Sequence, residues 1–268
     1  MPSRLSRSSL KALSAAILLF LMLPILIIVP LSFSAQQYLS FPPTGFSLRW
    51  YQTMAANPAW IDATLNSLVI GIPTAVLSMI LGTLAALAVV RGEIPFASFI
   101  AAAVVAPVML PHIILAIGLY PVMLEFGMLR SYLAAIVGHT VIGVPLAFIT
   151  VSASLRGYDG ALEQAAMTLG ATLWQTFWRV TFPMIRPGII VGGILAFASS
   201  FDELMLSLFL TGATTRTLPR LIWEQLTDFL TPTIAAVATL VFVFSLVLLT
   251  FVALFQRRSS STVGGRHA

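Results

Sequence analysis

Long apolar runs, all but one free of charge and each close to bilayer length, recur through this chain and limit what it can fold into. They lie at about Ser14 to Phe33, Asn66 to Val90, Phe96 to Leu124, Tyr132 to Ala153, Gly188 to Leu210 and Ile234 to Phe255. A helix needs about 20 apolar residues to cross the hydrocarbon core, where every backbone polar group must be bonded internally. Only 9% of residues are charged and 59% are hydrophobic, so the charges gather in the connections. The pattern predicts an all-α, polytopic membrane protein with six transmembrane helices. The fifth run alone holds acids, Asp202 and Glu203. The first run follows a basic start (Arg4, Arg7, Lys11) and ends in "SFSA" at Ser32 to Ala35, a layout shared with cleavable signals. It is longer than a signal core of about 7 to 15 residues, and it reads as a retained anchor.

The distribution of Lys and Arg sets the orientation. With the N-terminus inside, one side carries Arg4, Arg7, Lys11, Arg91, Arg156, Arg179, Arg186, Arg257, Arg258 and Arg266, against Arg49, Arg130, Arg216 and Arg220 on the other. Both termini are therefore expected to be cytoplasmic. The net charge of +5 reflects this loop bias; no basic patch or helix points to nucleic acid. The chain reads as one transmembrane domain over 1–268. An anchor helix and extracytoplasmic loop occupy 1–61, a core with a cytoplasmic loop at 155–187 occupies 62–256, and a disordered tail occupies 257–268.

Several spans contain helix-breaking residues: Pro73, then Pro107, Pro111 and Pro121, then Gly138, Gly143 and Pro145. These fit kinked helices lining a pathway, and equally the ordinary packing of a membrane bundle. Asp202 and Glu203 are costlier, since a charged group at the centre of a membrane helix costs about 2.5 to 3.5 kcal/mol on insertion scales. Gly192, Ala196, Ser199 and Glu203 would share one helical face, with Asp202 one turn from Ser199. Asp202, Glu203, Ser199 and His139 are thus candidate pathway residues for a cationic solute. The alternative is that an acid pairs with a partner chain or lies shallow in the outer interface.

Catalytic chemistry has little to work with. There is no Cys, the single Lys is Lys11, no Gly-Lys-Ser/Thr phosphate loop exists, and no His-Glu-x-x-His zinc motif occurs. His112 and His139 sit on different spans and read as hydrogen-bonding groups between helices, though both suit a polar path. No metal site is expected.

The loop before the fifth run, "LEQAAMTLGATLWQTFWRVTFPMIRP" from Leu162 to Pro187, is different in kind. Leu162, Ala165, Ala166 and Leu169 form a shallow apolar stripe on a short helix that Gly170 ends. Leu173, Trp174, Phe177 and Trp178 mark a second short helix, expected to terminate at Pro183 and Pro187. Such a pair suits docking on another protein, or lying on lipid headgroups.

The spacing resembles the signature of binding-protein-dependent ABC importer permeases: Glu-Ala-Ala, three residues, Gly, nine residues, Ile-x-Leu-Pro. Ala165, Ala166, Gly170 and Pro183 match, with Val180 for Ile and Phe182 for Leu. Gln164 stands at the place of the Glu, with Glu163 one residue earlier, so the role of that acid stays open between them. Over about Phe46 to Phe255 the chain is more narrowly similar to spermidine/putrescine-type permeases, in "FSLRWYQTM", "NPAWIDATLNSL", "GHTVIGVPLAFITV", "SFDELMLSLFLTG" and "TLPRLIW".

The resemblance implies a type I importer permease fold in a bacterial inner membrane. It also implies a coupling loop that meets a pair of ABC ATPase subunits through Glu163, Gln164, Ala165, Ala166, Gly170 and Pro183. ATP would be bound by those subunits, with no cofactor on this chain. The other partners implied are a second permease, homologous or identical, an extracytoplasmic solute-binding protein and membrane lipid. A permease for another small solute, a stand-alone transporter or channel, and a membrane enzyme are the other readings. The last lacks any catalytic constellation, and the middle one leaves the signature loop unexplained.

Overall fold

The computed structural model describes residues 7–92, 94–228 and 231–264. Arg4, Arg266 and the last four residues of the expected tail lie outside the described residues. Twelve helices are described: α1 Arg7–Ser32, α2 Arg49–Ala56, α3 Pro58–Val90, α4 Ala97–Met109, α5 His112–Glu125, α6 Tyr132–Arg156, α7 Ala161–Thr168, α8 Leu173–Thr176, α9 Phe182–Phe201, α10 Met205–Leu210, α11 Leu218–Asp228 and α12 Pro232–Gly264. A π-helical turn, Phe177–Thr181, joins α8 to α9. Five helical stretches are long and apolar enough to cross a membrane, and six if α4 and α5 form one broken span.

Two compact units make up the chain, Met1–Trp60 with Ile222–Phe244, and Ile61–Leu221 with Ser245–Ala268. In the first, α1 buries none of its apolar window within this chain. The loop after it is tied by its own bonds. Trp50 donates its indole N–H to the Ser34 carbonyl at 2.9 Å, Ser32 and Tyr51 share a hydroxyl contact at 2.7 Å, and Ser34 bridges Phe46.

In the second unit α6 is the centre. Its Gly138, His139, Gly143, Ala147, Val151 and Leu155 are all buried. Against it α9 presents Gly188, Gly192 and Ala196, spaced four apart so that they fall on one face. A Cβ at Gly192 would come within 2.7 Å of the Ala147 Cα, so only a hydrogen fits. The face expected to line a passage is instead used, at Gly192 and Ala196, for close helix packing. One apolar cluster joins α5, α6 and α10 through Ala116, Met123, Ile142, Leu206 and Leu210. Another joins α3, α6 and α9 through Ala86, Phe148, Val151, Leu155 and Ile185.

Three boundaries differ from those expected. The third span is bent by 102° between α4 and α5. Pro111 drives Leu110 into an extended conformation (φ −86°, ψ 141°), which ends α4 outright. The fifth span begins early, at Leu173, and stops at Phe201. Pro183 starts α9 instead of terminating the helix before it, because the first turn of a helix does not need that N–H. Finally, α12 runs to Gly264, over residues expected to be disordered, since it meets no Pro or Gly before that point.

Candidate functional site

Two places gather the residues singled out by sequence. The first is the loop between α6 and α9. Asp159 accepts the Ala161 N–H at 2.9 Å and opens α7. Gly170 closes it at φ +88°, with nothing within 4 Å of a Cβ placed there, so its backbone conformation alone calls for glycine. Thr172 and Gln175 then form a reciprocal capping box at the start of α8. Trp174, Phe177, Trp178 and Phe182 pack together along the next two turns, with Trp178 edge-on to Trp174 at 5.5 Å and tilted against Phe182 at 5.0 Å.

The apolar stripe faces outward. Leu169 is 88% exposed and Leu173 79%, with Leu162, Ala165, Met167 and Trp174 also exposed. No residue of α7 is buried. Glu163 turns the other way: it accepts from the Tyr158 hydroxyl, accepts from Thr181 Oγ1 at 2.7 Å, and lies 3.3 Å from Arg91 Nε. Gln164 is exposed. Burial pushes the Tyr158 hydroxyl above its ordinary pKa, and the Glu163 carboxylate beside it adds to the shift, so it stays a donor at neutral pH.

The second place is the break between α9 and α10. The helix ends at Phe201, so Asp202 and Glu203 do not continue the face of Gly192, Ala196 and Ser199. Asp202 caps α9 through its backbone N–H, bonded to the Ala198 carbonyl at 3.2 Å, and is exposed. Glu203 is buried. Its Oε1 accepts the Leu206 N–H at 3.0 Å, and its Oε2 lies 2.6 Å from His112 Nδ1 on α5. Ser207 donates to the Glu203 carbonyl at 2.7 Å and lies 3.4 Å from His139 Nε2, while His139 Nδ1 is 2.7 Å from Ser200 Oγ. Ser207 has one proton, already given to the Glu203 carbonyl, so in the neutral ring His139 donates from Nε2 and accepts from Ser200 at Nδ1.

Of the four pathway candidates, Glu203 and His139 are thus linked through Ser207. Ser199 and Asp202 stand outside the link. Sequence reasoning chose Ser199 where the structure uses Ser200, one residue and about 100° around the helix. It missed Ser207, and the loop partners Arg91, Tyr158 and Thr181. A charged residue just past the end of an apolar span, as Arg91 is, was the one signal on offer. Among the described residues no group of three or more His, Asp or Glu is arranged to hold a metal.

Comparison with known proteins bears on the whole chain. The family described as "Binding-protein-dependent transport system inner membrane component" matches residues 3–261. The chain is 27% identical over 250 residues to the spermidine/putrescine transport system permease protein PotC of Shigella flexneri, covering 93% of this chain and 94% of that protein. It is 34% identical over 233 residues to the putrescine transport system permease protein PotI of Escherichia coli, covering 83% and 81%. Its fold is similar to a chain in the crystal structure of a bacterial ABC transporter involved in the import of the acidic polysaccharide alginate, with TM-score 0.68, 17% identity, and 92% and 97% coverage.

Proposed function

The chain belongs to the family of binding-protein-dependent transport system inner membrane components, and we propose that it is the permease subunit through which an ATP-driven importer carries putrescine, spermidine or a similar small cationic solute. It is a multi-pass protein of the bacterial inner membrane and a subunit for transport. The reading is supported most by one observation: the loop at 161–178 offers an exposed apolar face while its one acid, Glu163, is held against the bundle.

In this account a pair of ATPase subunits, which bind the ATP, dock on that face with Ala165, Ala166 and Gln164 at the contact. Gly170 sets the turn, and Pro183 starts the span that leads away from it. A second permease, homologous or identical, completes the pathway, and an extracytoplasmic binding protein delivers the solute. Both termini and the docking loop face the cytoplasm. Closure of the ATPase pair on ATP moves the loop, and the bundle passes from inward-open to outward-open.

The cationic substrate is supported by the names of the relatives and by the chemistry of the break. Asp202 puts an exposed carboxylate at a point where the helix has stopped, while Glu203 next to it is buried against His112, and Ser199 and His139 lie within the same stretch of the bundle. An alkylammonium group loses its hydration there in exchange for charge-assisted contacts. A second reading, a permease for an anionic solute, has one observation in its favour: a cleft of about 380 Å³ lined by Tyr120, Arg130, Thr211 and Arg220.

Reconstitution tests the proposal. The chain, its ATPase subunits and its binding protein are placed in proteoliposomes, and ATP hydrolysis is followed as the binding protein is loaded with putrescine, spermidine or a dicarboxylate. Stimulation by the loaded diamine or triamine is expected. Stimulation by the dicarboxylate alone would move the reading to the anionic solute.

A further inference from the structure

The helix that carries the docking face is not held by apolar packing. No residue of α7 is buried, and the stripe that would ordinarily seat an amphipathic helix points outward. What holds α7 is a set of polar contacts converging on Glu163. Its Oε1 accepts from Thr181, in the π turn that leads into α9, and from Tyr158. Its Oε2 meets Arg91 Nε at 3.3 Å, an ion contact and not an aligned hydrogen bond. Arg91 in turn donates from Nη2 to the Leu155 carbonyl at 2.9 Å, in the last turn of α6, and to the Tyr158 carbonyl at 3.4 Å. Its guanidinium lies 4.7 Å from the centre of the Tyr158 ring.

Arg91 stands one residue beyond α3. The pair therefore ties α7 to the end of one span, the end of a second and the start of a third. Side-chain exposures of 28% for Arg91 and 17% for Glu163 keep the contacts partly shielded, unlike a screened surface pair. A guanidinium makes several such contacts at once from one rigid plane, which a lysine amine cannot do.

We infer that Arg91 and Glu163 are the positioning pair of the docking helix, turning a displacement of α7 into a displacement of α3, α6 and α9. This rests on the importer reading above. The acid that precedes the Ala-Ala of the signature then serves within this chain. The side chain offered to the ATPase at that end of α7 is the uncharged Gln164.

The test uses the full assembly in proteoliposomes with Arg91→Gln, Glu163→Gln and the double variant. Solute moved per ATP hydrolysed is expected to fall about fivefold or more in each single variant while the ATPase still co-purifies. The double variant is expected to be no worse than either single one, since both remove the same link. Arg91→Lys is the second arm should Arg91→Gln fail to assemble, with an intermediate loss expected. Unchanged solute per ATP in the single variants, or losses that add in the double, would overturn the inference.

A further readout does not depend on the importer reading. The chain has no Cys, so spin labels at Leu162→Cys and Ala88→Cys report the separation of α7 from α3 in the isolated chain. Arg91→Gln should broaden that distance distribution, and an unaltered distribution would count against the pair. A wild-type chain that shows the narrow distribution but neither binds nor needs an ATPase would defeat the importer reading and leave the tie intact.

Discussion

His112 and Glu203 meet at 2.6 Å, Nδ1 to Oε2, with the imidazole 37% exposed and the carboxylate buried. Each stands at a place where a span has broken: His112 begins α5 after the 102° bend, and Glu203 lies between α9 and α10. The contact joins the two breaks. The Glu203 side chain is 4% exposed, so removing His112 leaves a buried acceptor half satisfied, at a cost of about 1 to 3 kcal/mol. His112→Ala should lower the midpoint of thermal unfolding in detergent. Glu203→Gln, which keeps an acceptor and the volume, should lower it less, and the reverse order would remove the contact from the account.

Gly170 is governed by backbone conformation alone. Nothing lies within 4 Å of a Cβ there, while φ is +88°. A left-handed backbone costs about 1 to 2 kcal/mol for an ordinary L-residue and less for Asn. Gly170→Val should therefore weaken ATPase docking strongly, Gly170→Ala less and Gly170→Asn least, with the stability of the bundle little changed. Co-purification of the ATPase with each variant measures this. Equal binding by all three would show that the turn is not needed for docking.

Gly192 is the opposite case, limited by space. Its Cβ would stand 2.7 Å from the Ala147 Cα and 2.5 Å from Thr150 Oγ1. Gly192→Leu should force α9 away from α6 and destabilise the unit by about 1 to 3 kcal/mol or more. Gly118, with nothing within 4 Å, is the control, and Gly118→Leu should be tolerated. Thermal unfolding in detergent compares the two.

Ser200 donates to His139 within the bundle, and interhelical bonds of this kind average about 0.6 kcal/mol in a membrane. Ser200→Ala should cost about that much, and Ser199→Ala less. Equal effects at both positions would mean that the face of α9 has been misassigned.

Much of this was legible in the sequence for identifiable reasons. The spans follow from composition, because twenty uncharged apolar residues have few other uses. Gly170 and the residues around it are legible because a turn needs glycine at a fixed distance from the helix it ends. Pro111 announces a disturbance, but the neighbours of a membrane helix decide whether it becomes a kink or a break of 102°. The stop at Asp202 has no Pro or Gly beside it, and it depends on Glu203 finding His112 and the Leu206 N–H. The sequence points to Ser199, and Ser200 is not legible, because an apolar span with polar residues at successive positions does not reveal its helical phase. The tie between Arg91 and Glu163 crosses two spans, and no local pattern encodes it.

The most direct test of the central claim is accumulation of labelled putrescine and spermidine in cells that carry or lack this gene, with the cognate ATPase and binding protein present. The account predicts uptake that needs all three components and falls sharply with Asp202→Asn. Uptake that persists without the ATPase would contradict it. So would a complete wild-type assembly that accumulates neither polyamine.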